Sequence, residues 1–223
     1  RVAGGTLNVN APLTLPGTQT LSLQSGALNA NTALSVGTLS HSAGTLAGAG
    51  GLTVTGSWNY TTGANLNTIL TLGAGTSTPL NGVTVTGTGS ITNLGTLAVS
   101  DSTLSVAVLN SSPVQFTGTN TITSGAGVSG GTVDFKGGTT TFAAGSTYGV
   151  ATTNIDGGGS GAIARFDTPS LASTGTLNLL DGTLAGAGGL KVNGAWTYGA
   201  GNNVDTTLVL ASGSTSTLTG VTV

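Results

Sequence analysis

Apolar residues stand two apart along this chain, in short bursts broken by Gly, Asn, Ser or Pro, and the bursts follow one another at about six or seven residues. Leu7/Val9, Leu13/Leu15, Leu21/Leu23, Leu28/Ala30 and Leu34/Val36 set the rhythm; Leu52/Val54, Trp58/Tyr60 and Leu70/Leu72 continue it. A period of two belongs to strands with one face buried and one face wet. The bursts lie too close for sandwich strands joined by loops, which recur at roughly 8–12 residues. Linking every third burst gives a longer period. Leu28 follows Leu7, and Leu34 follows Leu13, at an offset of 21; Leu34, Leu52 and Leu70 are 18 apart. The spacing predicts an all-β fold, a right-handed parallel β-helix with three short strands per rung of roughly 18–21 residues. Leucines of successive rungs then stack inside, Thr, Ser and Asn stack outside, and each backbone N–H and C=O pairs with a neighbouring rung. The five prolines stand beside turn residues, which predicts that all of them fall outside the strands.

A larger repeat overlies the short one. Gly44 to Leu52 returns letter for letter as Gly182 to Leu190, Trp58 and Tyr60 return as Trp196 and Tyr198, and Gly82 to Val85 return as Gly220 to Val223, all at an offset of 138. About 24 of the 42 paired positions are identical, more than a shared Gly/Thr bias produces. A second match, Val2-Ala3-Gly4-Gly5-Thr6-Leu7 with Val128-Ser129-Gly130-Gly131-Thr132-Val133, has an offset of 126. The sequence therefore reads as one continuous solenoid segment, 1–223, with copies at 2–127 and 128–223. The difference of 12 places an insertion in the second copy near 154–169, where Gly157-Gly158-Gly159-Ser160-Gly161 and the densest charge (Asp156, Arg165 and Asp167) occur. Insertions in solenoids map to loops on one face, so this stretch is expected to leave the wall. Both ends read as cut from a longer polypeptide.

Composition supports strands over helices. The chain has 40 glycines, 4% charged residues, no methionine and no cysteine, and its polar residues are Thr, Ser and Asn, which favour strands and turns. Disorder goes with low hydropathy and high net charge, whereas the mean hydropathy is +0.31 and the net charge is only -2. Without cysteine there is no disulfide scaffold and no thiolate metal or redox site. No apolar run approaches the roughly 18 residues of a membrane-spanning helix, and no signal peptide opens the chain.

Few residues suggest chemistry. His41 is the only histidine and follows Leu39 at the strand spacing, so it reads as a rung residue and not as a triad member. Asp134, Asp156, Asp167 and Asp181 resemble the aspartates that β-helix polysaccharide lyases and hydrolases carry on neighbouring rungs, but Asp134 aligns with Asn8 and Asp181 with Ala43 in the other copy. Turn aspartates are the simpler reading. Calcium-loop patterns are missing, and no cofactor or metal is expected. Four scattered basic residues argue against nucleic acid. Thr53-Val54-Thr55 and Thr84-Val85-Thr86 suggest the threonine face of an ice-binding solenoid, but Thr53 and Thr55 become Lys191 and Asn193 in the second copy. The candidate ligand-binding residues are Trp58, Tyr60, Trp196 and Tyr198, as an aromatic platform for sugars, and Asp156, Arg165 and Asp167 in the expected insertion. The aromatic pairs share parity with Leu52/Val54 and Leu190/Val192, which favours the core.

The stretches GTLAGAGGLTVTGSWNYTTG and SGGTVDFKGGTTTFAAGSTY resemble the repeats of giant secreted bacterial β-helix proteins, the filamentous-haemagglutinin-like exoproteins and autotransporter passengers. The shared element is a rung grammar and carries no functional residue. What the resemblance implies is export to the cell surface and a non-catalytic structural role in an adhesin, a biofilm or an extracellular filament. The partners expected are flanking solenoid segments or copies meeting end to end, and cell-surface glycans. A polysaccharide-acting enzyme and a carbohydrate- or ice-binding solenoid are the alternatives.

Overall fold

The computed structural model describes residues 1–219 except 160, 169 and 200. Among them there are 26 strands and no helix, and every strand pairing is parallel. Three walls run the length of the molecule. The first is traced by one unbroken series of partners: Thr14, Ser35, Thr53, Thr71, Thr92, Leu109, Ser129, Gly149, Ser173, Lys191 and Val209. That series makes eleven rungs. The numbering advances by 17 from Thr92 to Leu109 but by 24 from Gly149 to Ser173, so the period belongs to the rung and not to the residue count. Thr53 reaches Lys191 in seven steps of this series, and the 138-residue offset is therefore seven rungs, or about 34 Å at about 4.8 Å per strand.

The second wall carries Leu21, Leu39 and Trp58, and then, further along, Leu97, Val114, Val133, Thr153, Leu177 and Trp196. The third carries Leu7, Leu28, Leu46 and Leu66 at one end and Val85, Leu104, Ile122, Phe142 and Phe166 beyond. Inward residues of all three walls form one continuous core. Its middle is aromatic: Phe116 stacks on Phe135 at 5.6 Å, Phe142 on Phe166 at 5.1 Å, and Tyr148 fills the space beside them. Such stacking follows directly from parallel register, which sets like residues one rung apart. Outside, the same register builds amide ladders. Asn29 Nδ2 donates to Asn8 Oδ1 (2.8 Å), Asn154 to Asp134 (2.7 Å) and Asn178 to Asn154 (2.8 Å). At the corner between the first and second walls Gly17, Gly37 and Gly56 lie one above another. A Cβ on Gly37 would stand 2.2 Å from the Gly17 carbonyl oxygen, so the corner closes only without side chains.

Three expectations need correction. The offset-126 match does not stack: Val2 and Leu7 lie in the second and third walls, whereas Val128 and Val133 lie in the first and second. Similar strand words serve different walls, and the apparent surplus of 12 is a shift of one wall. Accordingly most of the segment 154–169 stays in the wall. Asn154, Ile155 and Asp156 end the strand Thr147–Asp156, and Ala162–Phe166 is a ladder strand with Phe166 fully buried. A corner separates them, and Ser160 and Pro169 lie outside the described residues. Lastly, Pro79 is inside a strand, Ser77–Asn81. Thr96 N–H donates to Thr76 O and Gly82 N–H to Ser100 O, so alternation turns the amide position of Pro79 away from the Thr96–Ser100 strand. On its other side, among the described residues, no ladder forms with 57–60.

Candidate functional site

Trp58 and Tyr60 sit on the inward face of the second wall because they share the parity of Leu52 and Val54. Trp58 is fully buried, and the two rings meet edge to face at 5.1 Å. Tyr60 closes the corner below: its hydroxyl donates to the Ala64 carbonyl, and Thr86 N–H donates to it (3.3 Å). The second copy repeats the device, with Trp196 and Tyr198 at 5.8 Å and the Tyr198 hydroxyl donating to Asn202 O. Trp196 and Tyr198 are half-buried against the same core. Trp58 therefore offers no face to a sugar, and the aromatic pairs act as corner fillers.

The charged candidates are distributed, each with a local partner. Lys136 Nζ lies 3.2 Å from Asp156 across one rung, and Asp156 is in register with Asp181, whose carboxylate accepts the Gly159 N–H. Arg165 Nε donates to Asp167 at 2.7 Å, and Asp167 also accepts the Ala187 N–H (3.2 Å). The hydrogen bond and charge of Asp167 hold the Arg165 guanidinium in its protonated form, and Arg165 in turn lowers the Asp167 pKa. Asp134 accepts from Asn154 within the amide ladder. Among the described residues no three His, Asp or Glu groups are placed to hold a metal ion. The outward row Thr14, Ser35, Thr53, Thr71 and Thr92 is interrupted by Leu109, so hydroxyls do not tile the first wall.

Two features could not be found without the register. A cavity of about 200 Å³ opens at a corner beside Ser146, Thr168, Leu171 and Ala172. It forms where small Ala172 occupies the rung after Tyr148. Ser146 Oγ is buried there without a partner, while the Thr168 hydroxyl is already committed to Ser170 O.

The second feature is a break in the walls between the rung of Leu52 and the rung of Leu70. The first wall keeps its ladder across this step (Leu52 to Leu70, Val54 to Leu72). The third holds one isolated bridge, Asn65 to Thr86, and the second holds none between 57–60 and 77–81. Thr78 Oγ1 at the step and both ring nitrogens of His41, one rung before it, are buried without partners; Trp58 Nε1 is unpartnered too, as is Trp196 Nε1 in the second copy. His41 is fully buried one rung below Tyr60, with ring centroids 5.6 Å apart. Burial drives its pKa down to about 4; the backbone at Gly44 opposes this, short of hydrogen-bond geometry.

Comparison with known families, with curated proteins and with solved structures returned no match to this chain. Among the described residues no helix is long and apolar enough to cross a membrane.

Proposed function

We propose that the chain is a non-catalytic structural segment, the shaft of a secreted bacterial surface adhesin or extracellular filament. The observation that carries this reading is the first-wall ladder, continuous over eleven rungs from Thr14 to Val209. Each rung pairs with its two neighbours, and length is added without altering any earlier contact. A stack of that kind is suited to separating a tip from a surface. Low charge agrees with it, because like charges one rung apart repel along a rod. The partners in this reading are further solenoid rungs, continued at either end, and glycans met at the cell surface.

The test is antibody labelling of intact and lysed cells of the source bacterium, with adhesion to glycan-coated beads read in parallel. Labelling of intact cells, and weaker bead adhesion once residues 52–189 are deleted in frame from the parent gene, are the expected results. Labelling confined to lysed cells would remove the surface role.

A further inference from the structure

The step between the Leu52 and Leu70 rungs has an internal control seven rungs away. At offset 138, Pro79 corresponds to Thr217 and His41 to Leu179. Where Thr217 stands, the second wall is fully laddered: Ala195, Trp196, Thr197 and Tyr198 pair with Thr215, Ser216, Thr217 and Leu218. Where Pro79 stands, the equivalent ladder is missing. Proline has no N–H to give, and its amide position faces the gap. The same wall thus occurs twice in one molecule, closed with Thr and open with Pro.

The second substitution puts a titratable group one rung below the open step, against Tyr60. Leu179 is an ordinary core leucine, whereas His41 is an imidazole with neither nitrogen paired. Beyond the backbone at Gly44, its surroundings offer nothing to a charge. Residues 2–100 contain no Asp, Glu, Lys or Arg, and the titratable group that faces His41 is Tyr60, edge to face on the next rung. Leu23, on the rung before, and the leucines of the adjoining walls are apolar. An imidazolium formed there has no carboxylate to meet and no water-facing side, so it must either leave the interior or part the rungs that enclose it.

We infer that this step is an acid-operated seam: protonation of His41 opens the second wall between 57–60 and 77–81 while the remaining rungs stay stacked. The first wall, laddered across the step, acts as the hinge. The shaft reading does not require such a seam.

The direction follows from proton linkage. The pKa of His41 is about 4 in the closed form and near 6.5 when the ring is exposed, so the open form binds the proton more tightly. The closed form therefore begins to lose ground as pH falls through about 6.5, and the loss is complete near pH 4. Over the interval from pH 7.5 to pH 4.5 the opening equilibrium rises on the order of 100-fold.

Hydrogen exchange of the unmodified chain, read by mass spectrometry at pH 7.5 and 4.5 with correction for the intrinsic rate, tests this. Peptides covering 57–60 and 77–81 are expected to lose protection at pH 4.5, while those covering 114–117 and 176–179 keep theirs. His41→Leu, which installs the residue of the closed copy, is expected to abolish the response, and Pro79→Thr to reduce it by supplying the missing donor. A second readout uses Trp58 fluorescence in a Trp196→Phe background, where acid should red-shift the emission. An acid response that survives His41→Leu, equal loss of protection in all peptides, or no change at pH 4.5 would each overturn the seam.

Discussion

A side chain in this molecule answers first to the residues one rung above and below it, and glycine shows this most directly. Gly37 is tolerated at its corner because Gly17 and Gly56 are its stacked neighbours. A methyl group at Gly37 would stand 2.2 Å from the Gly17 oxygen, far inside contact distance. We expect Gly37→Ala to destabilise the fold by about 1–3 kcal/mol, as overpacking does elsewhere. Gly63→Ala, where added atoms meet open space but φ is +101°, tests backbone conformation alone. Urea unfolding of both variants separates the two causes; a neutral Gly37→Ala would show that the corner has room to relax.

At the scale of strands and corners, the corner between Ile155 and Ala162 is the place to shorten the chain. The preceding rung turns the same corner between Phe135 and Gly138 with Lys136 and Gly137, and Phe135 pairs with Ile155 as Gly138 pairs with Ala162. Deleting 158–161 leaves Asp156 and Gly157 in the place of that two-residue link. The melting temperature should stay within a few degrees, because the described residues removed, Gly158, Gly159 and Gly161, are exposed and belong to no ladder strand. Deleting 154–165 instead removes strand backbone and displaces Phe166, and should abolish cooperative unfolding; circular dichroism melts decide between the two. This is also where the sequence is least legible. Parity places Trp58 and Tyr60 with Leu52 correctly, and the leucine offsets of 18 and 21 set the rung. The words Val-x-Gly-Gly-Thr at Val2 and Val128 promise a common register and do not have one, because strand preference is the same in every wall. Pro79 escapes a local reading for a related reason. A parallel strand needs each N–H only on the side where a ladder exists, and which side lacks one is a fact about the next rung. The seam and the Ser146 cavity likewise arise from pairs such as Tyr148 and Ala172, neighbours across a rung that no local pattern joins.

For the molecule as a whole, the 138-residue offset is a structural unit of seven rungs. Repeating 52–189 after Gly189 places Leu52 where Leu190 stood, on the same wall with the same preceding glycine. The lengthened protein should remain a single rod, longer by about 34 Å, and should be no less stable than its parent, since each added rung brings its own interfaces. Small-angle scattering gives the length directly, and a compact or aggregated product would count against the stack as a modular unit. Under tension the eleven rungs behave as springs in series, in which the softest alone sets the yield point. A step held by three ladders shares the load among parallel elements; the step above Trp58 carries it on one ladder, a single bridge and scattered bonds such as Gly89 N–H to Leu66 O and Thr86 N–H to the Tyr60 hydroxyl. Pulled from its ends, the rod should give way there first and swing about the first wall, so that one proline fixes both where the rod bends and the force at which it yields.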